Sequence, residues 1–237
     1  MFDKVGGEAM ELVLLFLLGF GAVVFPKYLK FRRSGYRAAT GNTFWKTLWD
    51  KGSYGEFLTF NYLEKLDGSK RIMANIYLPK KDGMTTEIDL LMITETGMYV
   101  FDSKNYSGWI FGNEKSKNWM QTLPNKQKFP FYNPIWQNKG HINALKSVLQ
   151  LENDDLFISY IIFSERCTLK KIEVTSDRVR VIKRGQLVKS IKQEMYSATK
   201  VLTPTQIEEL YSMLKKYENA DDVIKKLHVD QVKRKKG

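Results

Sequence analysis

The chain has 237 residues, 43% of them hydrophobic and 13% aromatic. That is enough for one α/β core with a short appendage, and it excludes global disorder. A single cysteine, Cys167, and two histidines, His141 and His228, exclude a disulfide framework, a cysteine zinc cluster and an HExxH-type zinc hydrolase. The formal net charge of +12 is uneven: residues 26–37 and 225–237 carry +5 each, the first 25 residues −2 and the middle +4. Anionic lipid accounts for such basic ends as well as nucleic acid does, so the charge alone does not identify a polynucleotide substrate.

Leu12 to Phe25, LVLLFLLGFGAVVF, carries no charge, though it is shorter than the roughly 20 residues that usually span a bilayer. Ala9 and Met10 extend it on one side. On the other, Tyr28, Leu29 and Phe31 alternate with basic residues that can snorkel. The start is acidic and the basic cluster follows, the reverse of a cleaved signal peptide. The positive-inside rule then places the N-terminus outside and everything from Pro26 onward in the cytoplasm. The expectation is a single-pass anchor in the cell membrane with a basic juxtamembrane segment, residues 1–37. A signal peptide and an interfacial or buried helix are the alternatives.

Ala38 to Lys51 reads as a connection with a short helical stretch around Phe44, Leu48 and Trp49. A helix is predicted from Ser53 to Leu66, with Phe57, Leu58, Phe60, Tyr62 and Leu63 on its apolar side, ending at Asp67-Gly68. Strands are predicted at Arg71 to Tyr77, Thr86 to Ile93 and Met98 to Lys104, with a shorter one at Trp109 to Phe111. Asn133-Pro134 opens a helix to Leu151. Phe157 to Phe163 is an apolar run suited to a buried strand, and Arg178 to Ile182 is another candidate. Helices from Thr205 to Tyr217 and from Ala220 to His228 precede a Lys-Arg-Lys-Lys tail. This order indicates a mixed sheet flanked by helices, with a domain at 38–203 followed by C-terminal helices and the basic tail at 204–237.

The stretch from Thr86 to Gly108, TEIDLLMITETGMYVFDSKNYSG, carries the chemistry. A hairpin with a two- or four-residue loop sets Asp89 directly opposite Asp102, with Cβ atoms about 5 Å apart. A three-residue loop with a bulge at Gly97 shifts that register by one. Two facing aspartates repel unless a positive charge lies between them, and a hard divalent cation supplies it. Lys104, two residues after Asp102, leaves the same face of the strand. Two carboxylates and an ammonium suit metal-assisted phosphodiester hydrolysis; the bland alternative is a solvated salt bridge.

Several pieces in order resemble the nuclease-related domain (NERD), a branch of the PD-(D/E)xK nuclease superfamily. They are Gly55-Glu56, Glu87-Ile88-Asp89, Phe101-Asp102-Ser103-Lys104-Asn105-Tyr106-Ser107-Gly108, and Asn133-Pro134-Ile135-Trp136-Gln137 with His141 downstream. The likeness runs from about Gly52 to Leu151. It implies an α/β, restriction-endonuclease-like mixed sheet flanked by helices, here preceded by the N-terminal transmembrane helix. It also implies cleavage of nucleic acid with Mg²⁺ or Mn²⁺. By that correspondence Asp89 and Asp102 are metal ligands, Glu56 is the helix carboxylate near the metal, Lys104 is the catalytic lysine and Gln137 a polar helper. Position 102 holds aspartate, which the superfamily pattern accepts in place of glutamate.

Alternatives stay open at three places. Glu56 lies three residues after Ser53, a capping-box spacing. Gln137 is either in the site or a polar flank of the stripe Ile135, Ile142, Leu145 and Leu149, and His141 reads as structural or exposed rather than catalytic. Tyr106, Trp109 and Trp119, with Lys115, Lys117 and Lys126 nearby, either stack on a nucleic-acid strand or pack a sheet edge. The functional expectation is a membrane-anchored, metal-dependent nuclease at the cytoplasmic face. The alternative is a catalytically silent module of the same fold that binds nucleic acid, a partner protein or anionic membrane.

Overall fold

The computed structural model describes residues 2–80, 82–218 and 220–236. A continuous helix, α1 (Phe2–Arg33), passes through Pro26 without breaking. Two short helices, α2 (Tyr36–Thr40) and α3 (Phe44–Trp49), lead to α4 (Lys51–Glu64). Then come β1 (Lys70–Pro79), β2 (Thr85–Thr94), β3 (Gly97–Lys104), β4 (Gly108–Asn113), β5 (Asn118–Thr122) and β6 (Lys128–Tyr132). Next are α5 (Pro134–Leu149), β7 (Phe157–Phe163), β8 (Cys167–Glu173), β9 (Val179–Lys183), α6 (Leu187–Ser197), α7 (Pro204–Lys215) and α8 (Asp222–Lys236). The side chains of the basic tail, Lys233 to Lys236, lie outside the described residues.

The main sheet has the order β1-β2-β3-β7-β9, its first two pairings antiparallel and its last two parallel. A second sheet, β6-β5-β4-β8, is also mixed. Of its strands only β4 was predicted, at Trp109 to Phe111; NWMQT and KFPFY of β5 and β6 are short, half-exposed and polar or proline-containing. Helix α6 escaped for a related reason, since only Leu187 and Ile191 of LVKSIKQEMYS are buried.

Side-chain alternation distributes the main sheet's residues to two cores. Tyr99 and Phe101 of β3 join Phe57, Phe60 and Leu63 of α4 and Leu187 and Ile191 of α6. Met98 and Val100 join Ala144, Leu145 and Leu149 of α5 and Ile207 and Leu214 of α7. Asp102 and Lys104 continue the second series, so they leave the sheet on the α5 side. Each fully buried Leu, Ile or Phe contributes about 1.5–3 kcal/mol, so these two layers fix the sheet between its helices.

Met10–Arg33 of α1 is long and apolar enough to cross a membrane, and its apolar window is not buried against the rest of the chain. The end of this helix differs from expectation. Phe31, read from sequence as a lipid-side flank, is only 4% exposed and packs against Phe57 with ring centroids 5.6 Å apart. Tyr36 is fully buried beside it, 5.5 Å from Phe57. The helix therefore enters the core without a linker.

Candidate active site

The candidate site is built from the middle of β2 and the C-terminal end of β3, and the hairpin joining them sets its register. Glu95 and Thr96 form a two-residue loop that pairs Thr94 with Gly97. Gly97 has φ +134°, and a Cβ there would lie 2.7 Å from the Leu156 carbonyl oxygen, so the turn requires glycine. The ladder runs from Thr94↔Gly97 to Leu90↔Phe101, the register expected of a two-residue loop, and its pairs end one step before Asp89 and Asp102. The bulged three-residue loop is not adopted.

Beyond Leu90 the strand bends. Ile88 and Leu91, an odd number of residues apart, both join the core beneath α5, so alternation changes phase across Asp89. On the other side, the β1–β2 register is constant from Lys70↔Thr94 to Pro79↔Thr85, and Asn75, with φ +51°, drops out of the ladder together with Asp89. Here Asp89 Oδ2 accepts a hydrogen bond from the Ser103 backbone N–H at 2.9 Å, which ties the β2 acid to the residue between Asp102 and Lys104.

Asp102 is fully buried. Its Oδ1 lies 2.7 Å from Lys104 Nζ, and no donor reaches its Oδ2. A buried carboxylate oxygen without a partner is costly. Lys104 Nζ also donates to Gln137 Oε1 at 3.1 Å, which places Gln137 in the site. Burial alone lowers the Lys104 pKa, but Asp102 and Asp89 outweigh it and the net shift is upward. The lysine is therefore held as an ammonium at neutral pH.

Glu56 approaches from α4. That helix is capped by Asp50, whose Oδ1 accepts from Ser53 N at 2.7 Å, so the capping-box alternative for Glu56 is overturned. Its Oε2 instead accepts from Tyr36 Oη at 3.2 Å. Burial, followed by the charge of Glu87, raises the Glu56 pKa to about 8, with the Tyr36 hydrogen bond opposing. The Asp89 pKa is also raised well above the ordinary carboxylate range, first by burial, then by Asp102 and Glu56, against Lys104 and the Ser103 N–H. These acids thus feel one another's charge across one site.

Three further residues near the cluster, Glu87, Asn138 and His141, had been given no role in it. Glu87, two residues before Asp89, accepts from Tyr77 Oη at 2.6 Å and is a main source of field on Glu56. Asn138 is fully buried on α5 and donates to Val100 O and Ser159 Oγ, both at 2.8 Å, fastening the helix over β3 and β7. Its signal was its place three residues after Ile135 in the buried stripe. His141 is 4% exposed with no partner for Nδ1. Burial lowers its pKa to about 4 despite the pull of Asp102, so the ring is neutral.

The aromatics divide. Trp119 is buried and stacks on Phe163, with centroids 6.2 Å apart and planes 6° apart. Tyr106 packs edge-on against Phe131 at 4.9 Å. Trp109 is 45% exposed, with Lys170 Nζ 5.5 Å from its ring centre.

Among the described residues no three His, Cys, Asp or Glu side chains converge as a ready ligand set for one ion. The donors that do gather, Asp89 and the partnerless Oδ2 of Asp102, fit a hard divalent cation. Mg²⁺ binds through one or two carboxylates and keeps waters in its remaining positions.

A model of the nuclease-related domain matches residues 51–164, which enclose Glu56, Glu87, Asp89, Asp102, Lys104 and Gln137. An uncharacterized protein of Bacillus anthracis is 36% identical over 180 residues, spanning 76% of this chain and 82% of the relative. With its family match centred on this cluster of acids and lysine, the chain belongs to the nuclease-related domain (NERD) family.

Proposed function

We propose that the protein is a metal-dependent nuclease of the PD-(D/E)xK kind, acting on nucleic acid at the cytoplasmic face of the cell membrane. The reading rests on one observation: a buried Asp102 with a partnerless oxygen, beside Lys104 and coupled in charge to Asp89. Asp89 and Asp102, with Glu56 nearby, would hold Mg²⁺ or Mn²⁺. Such an ion makes a bound water acidic and offsets negative charge developing on phosphorus.

The chain's own groups divide the remaining work. Lys104, kept protonated by the two aspartates, serves as a fixed cation toward a phosphate oxygen or an attacking water and is unsuited to act as a base. Gln137 holds the ammonium in place, and Asn138 fixes the helix that carries Gln137. α1 supplies the membrane anchor, and the basic residues that follow it support a cytoplasmic position for the folded part.

The test is Mg²⁺-dependent cleavage of labelled DNA and RNA by the full chain in detergent. Asp89→Asn, Asp102→Asn and Lys104→Met are each expected to lower the rate by at least about 10²-fold, with circular dichroism unchanged. Cleavage at the wild-type rate by Asp102→Asn would remove this site from consideration.

A second reading is favoured by the 2.7 Å Asp102–Lys104 contact, which already compensates one carboxylate. In it the same fold binds nucleic acid, a partner protein or anionic membrane without turnover. It predicts salt-sensitive binding that EDTA leaves unchanged.

A further inference from the structure

The short helix α3 lies against the end of the apolar helix α1. Its Phe44 ring meets Tyr28 edge-on at 5.3 Å and Phe31 at 5.7 Å. Phe20, Val24, Phe25, Tyr28, Phe44 and Trp45 together line an apolar groove between α1 and α3. Trp45 and Trp49, one helical turn apart, share a face and are 51% and 72% exposed. Thr47 faces inward and is buried. Tryptophans this open are unusual beside a core that buries the comparably large Trp119, Tyr36 and Tyr99 completely.

Dimensions indicate what covers them. The uncharged run from Leu12 to Phe25 rises about 1.5 Å per residue, or about 21 Å, against a hydrocarbon core of about 30 Å. The shortfall is made up by sinking the Tyr28–Phe31 end with Lys27 and Lys30 snorkelling, or by thinning the bilayer. In both cases Phe20, Val24 and Phe25 lie at lipid depth, and Phe44 and Trp45 share their groove. Arg32, Arg33, Arg37, Lys46 and Lys51 are exposed around this end, the charge distribution that anionic headgroups attract. Tryptophan and tyrosine are also the residues that collect at the headgroup boundary.

We infer that α3 is a membrane-interface element: Trp45 and Trp49 insert into the lipid boundary beside α1 and fix the folded part against the bilayer. The inference rests on α1 crossing the membrane and goes beyond it, because an anchor alone leaves α3 in water. No slack separates the two, since α1 runs unbroken to Arg33 and Phe31 is already in the core.

The experiment uses the full chain in nanodiscs of phosphatidylcholine and phosphatidylglycerol with brominated acyl chains, reading tryptophan emission. Insertion of α1 is scored separately by resistance to alkaline carbonate extraction from vesicles. The expected result is lipid quenching in the wild-type chain, most of it lost in the Trp45→Phe/Trp49→Phe variant, which keeps Trp109, Trp119 and Trp136. A carbonate-resistant chain with no lipid quenching, or with quenching the variant leaves intact, would overturn the inference and spare the anchor. A chain extracted by carbonate would overturn the anchor reading, and this inference with it.

Discussion

Glu56 illustrates how one buried acid couples stability to charge. Its pKa is raised from 4.5 to about 8, chiefly by burial and then by Glu87. The folded state therefore binds a proton more tightly than the unfolded chain does. Its contribution to stability is fully present below pH 4.5, declines as pH rises, and is lost above about pH 8. Asp89, raised by burial and by Asp102, acts in the same direction. The metal-free protein is expected to lose melting temperature from pH 5 to pH 8, and Glu56→Gln to flatten that fall. A variant with the wild-type slope would show that Glu56 is not the group responsible. If the site takes Mg²⁺, the ion raises the melting temperature more at pH 8 than at pH 5, because only ionised carboxylates bind it. Asp89, Asp102 and Lys104 were legible as a candidate cluster because strand alternation and hairpin register are local rules, whereas Gln137 was named only through the family resemblance. The burial of His141 and the field of Glu87 on Glu56 were not legible, since both depend on which helix covers which end of the sheet.

At the scale of elements, the second sheet braces the end of β7 that pairs with Lys104. Trp119 of β5 stacks on Phe163, the last residue of β7, and Phe163 pairs in register with Lys104. Gly112 of β4 leaves room for that ring, since a Cβ there would fall 2.1 Å from Trp119 Cδ2. Trp119 is walled in, so Gly112→Ala is expected to displace it and cost about 1–3 kcal/mol in urea unfolding. Near-ultraviolet dichroism should change as the ring leaves its stacked position. An alanine variant with unaltered midpoint and spectrum would mean that the sheet relaxes around the methyl group. The setting of Asp89 is likewise a property of paired elements: with Asn75 it drops out of the β1–β2 ladder, and its carboxylate accepts instead from the Ser103 N–H of β3.

For the whole molecule, the question is where the folded part begins. Reading the sequence placed a boundary near residue 38, yet Phe31 and Tyr36 are 4% and 0% exposed inside the layer formed by α4. Burying an aromatic of this size is worth about 3–5 kcal/mol when it is truncated to alanine. A chain beginning at Pro26 is expected to be folded, whereas one beginning at Ala38 loses at least about 3 kcal/mol and melts measurably lower. Equal melting temperatures for the two fragments would show that these rings do not support the core. The same continuity joins the membrane reading to the site, since Tyr36 is both a core residue and the hydrogen-bond donor to Glu56.

The sequence by itself determined the apolar N-terminal helix, the three strands β1 to β3, the two-residue turn that pairs Thr94 with Gly97, and the Asp-Ser-Lys spacing. All of these follow from composition, two-residue alternation and one turn. Only the tertiary structure decided that Asp50 rather than Ser53 caps α4, that α5 lays Gln137 and Asn138 over β3, that a second sheet supports β7, and that α1 ends inside the core. Those outcomes turn on which buried surfaces find partners far along the chain, and no local pattern of residues records that.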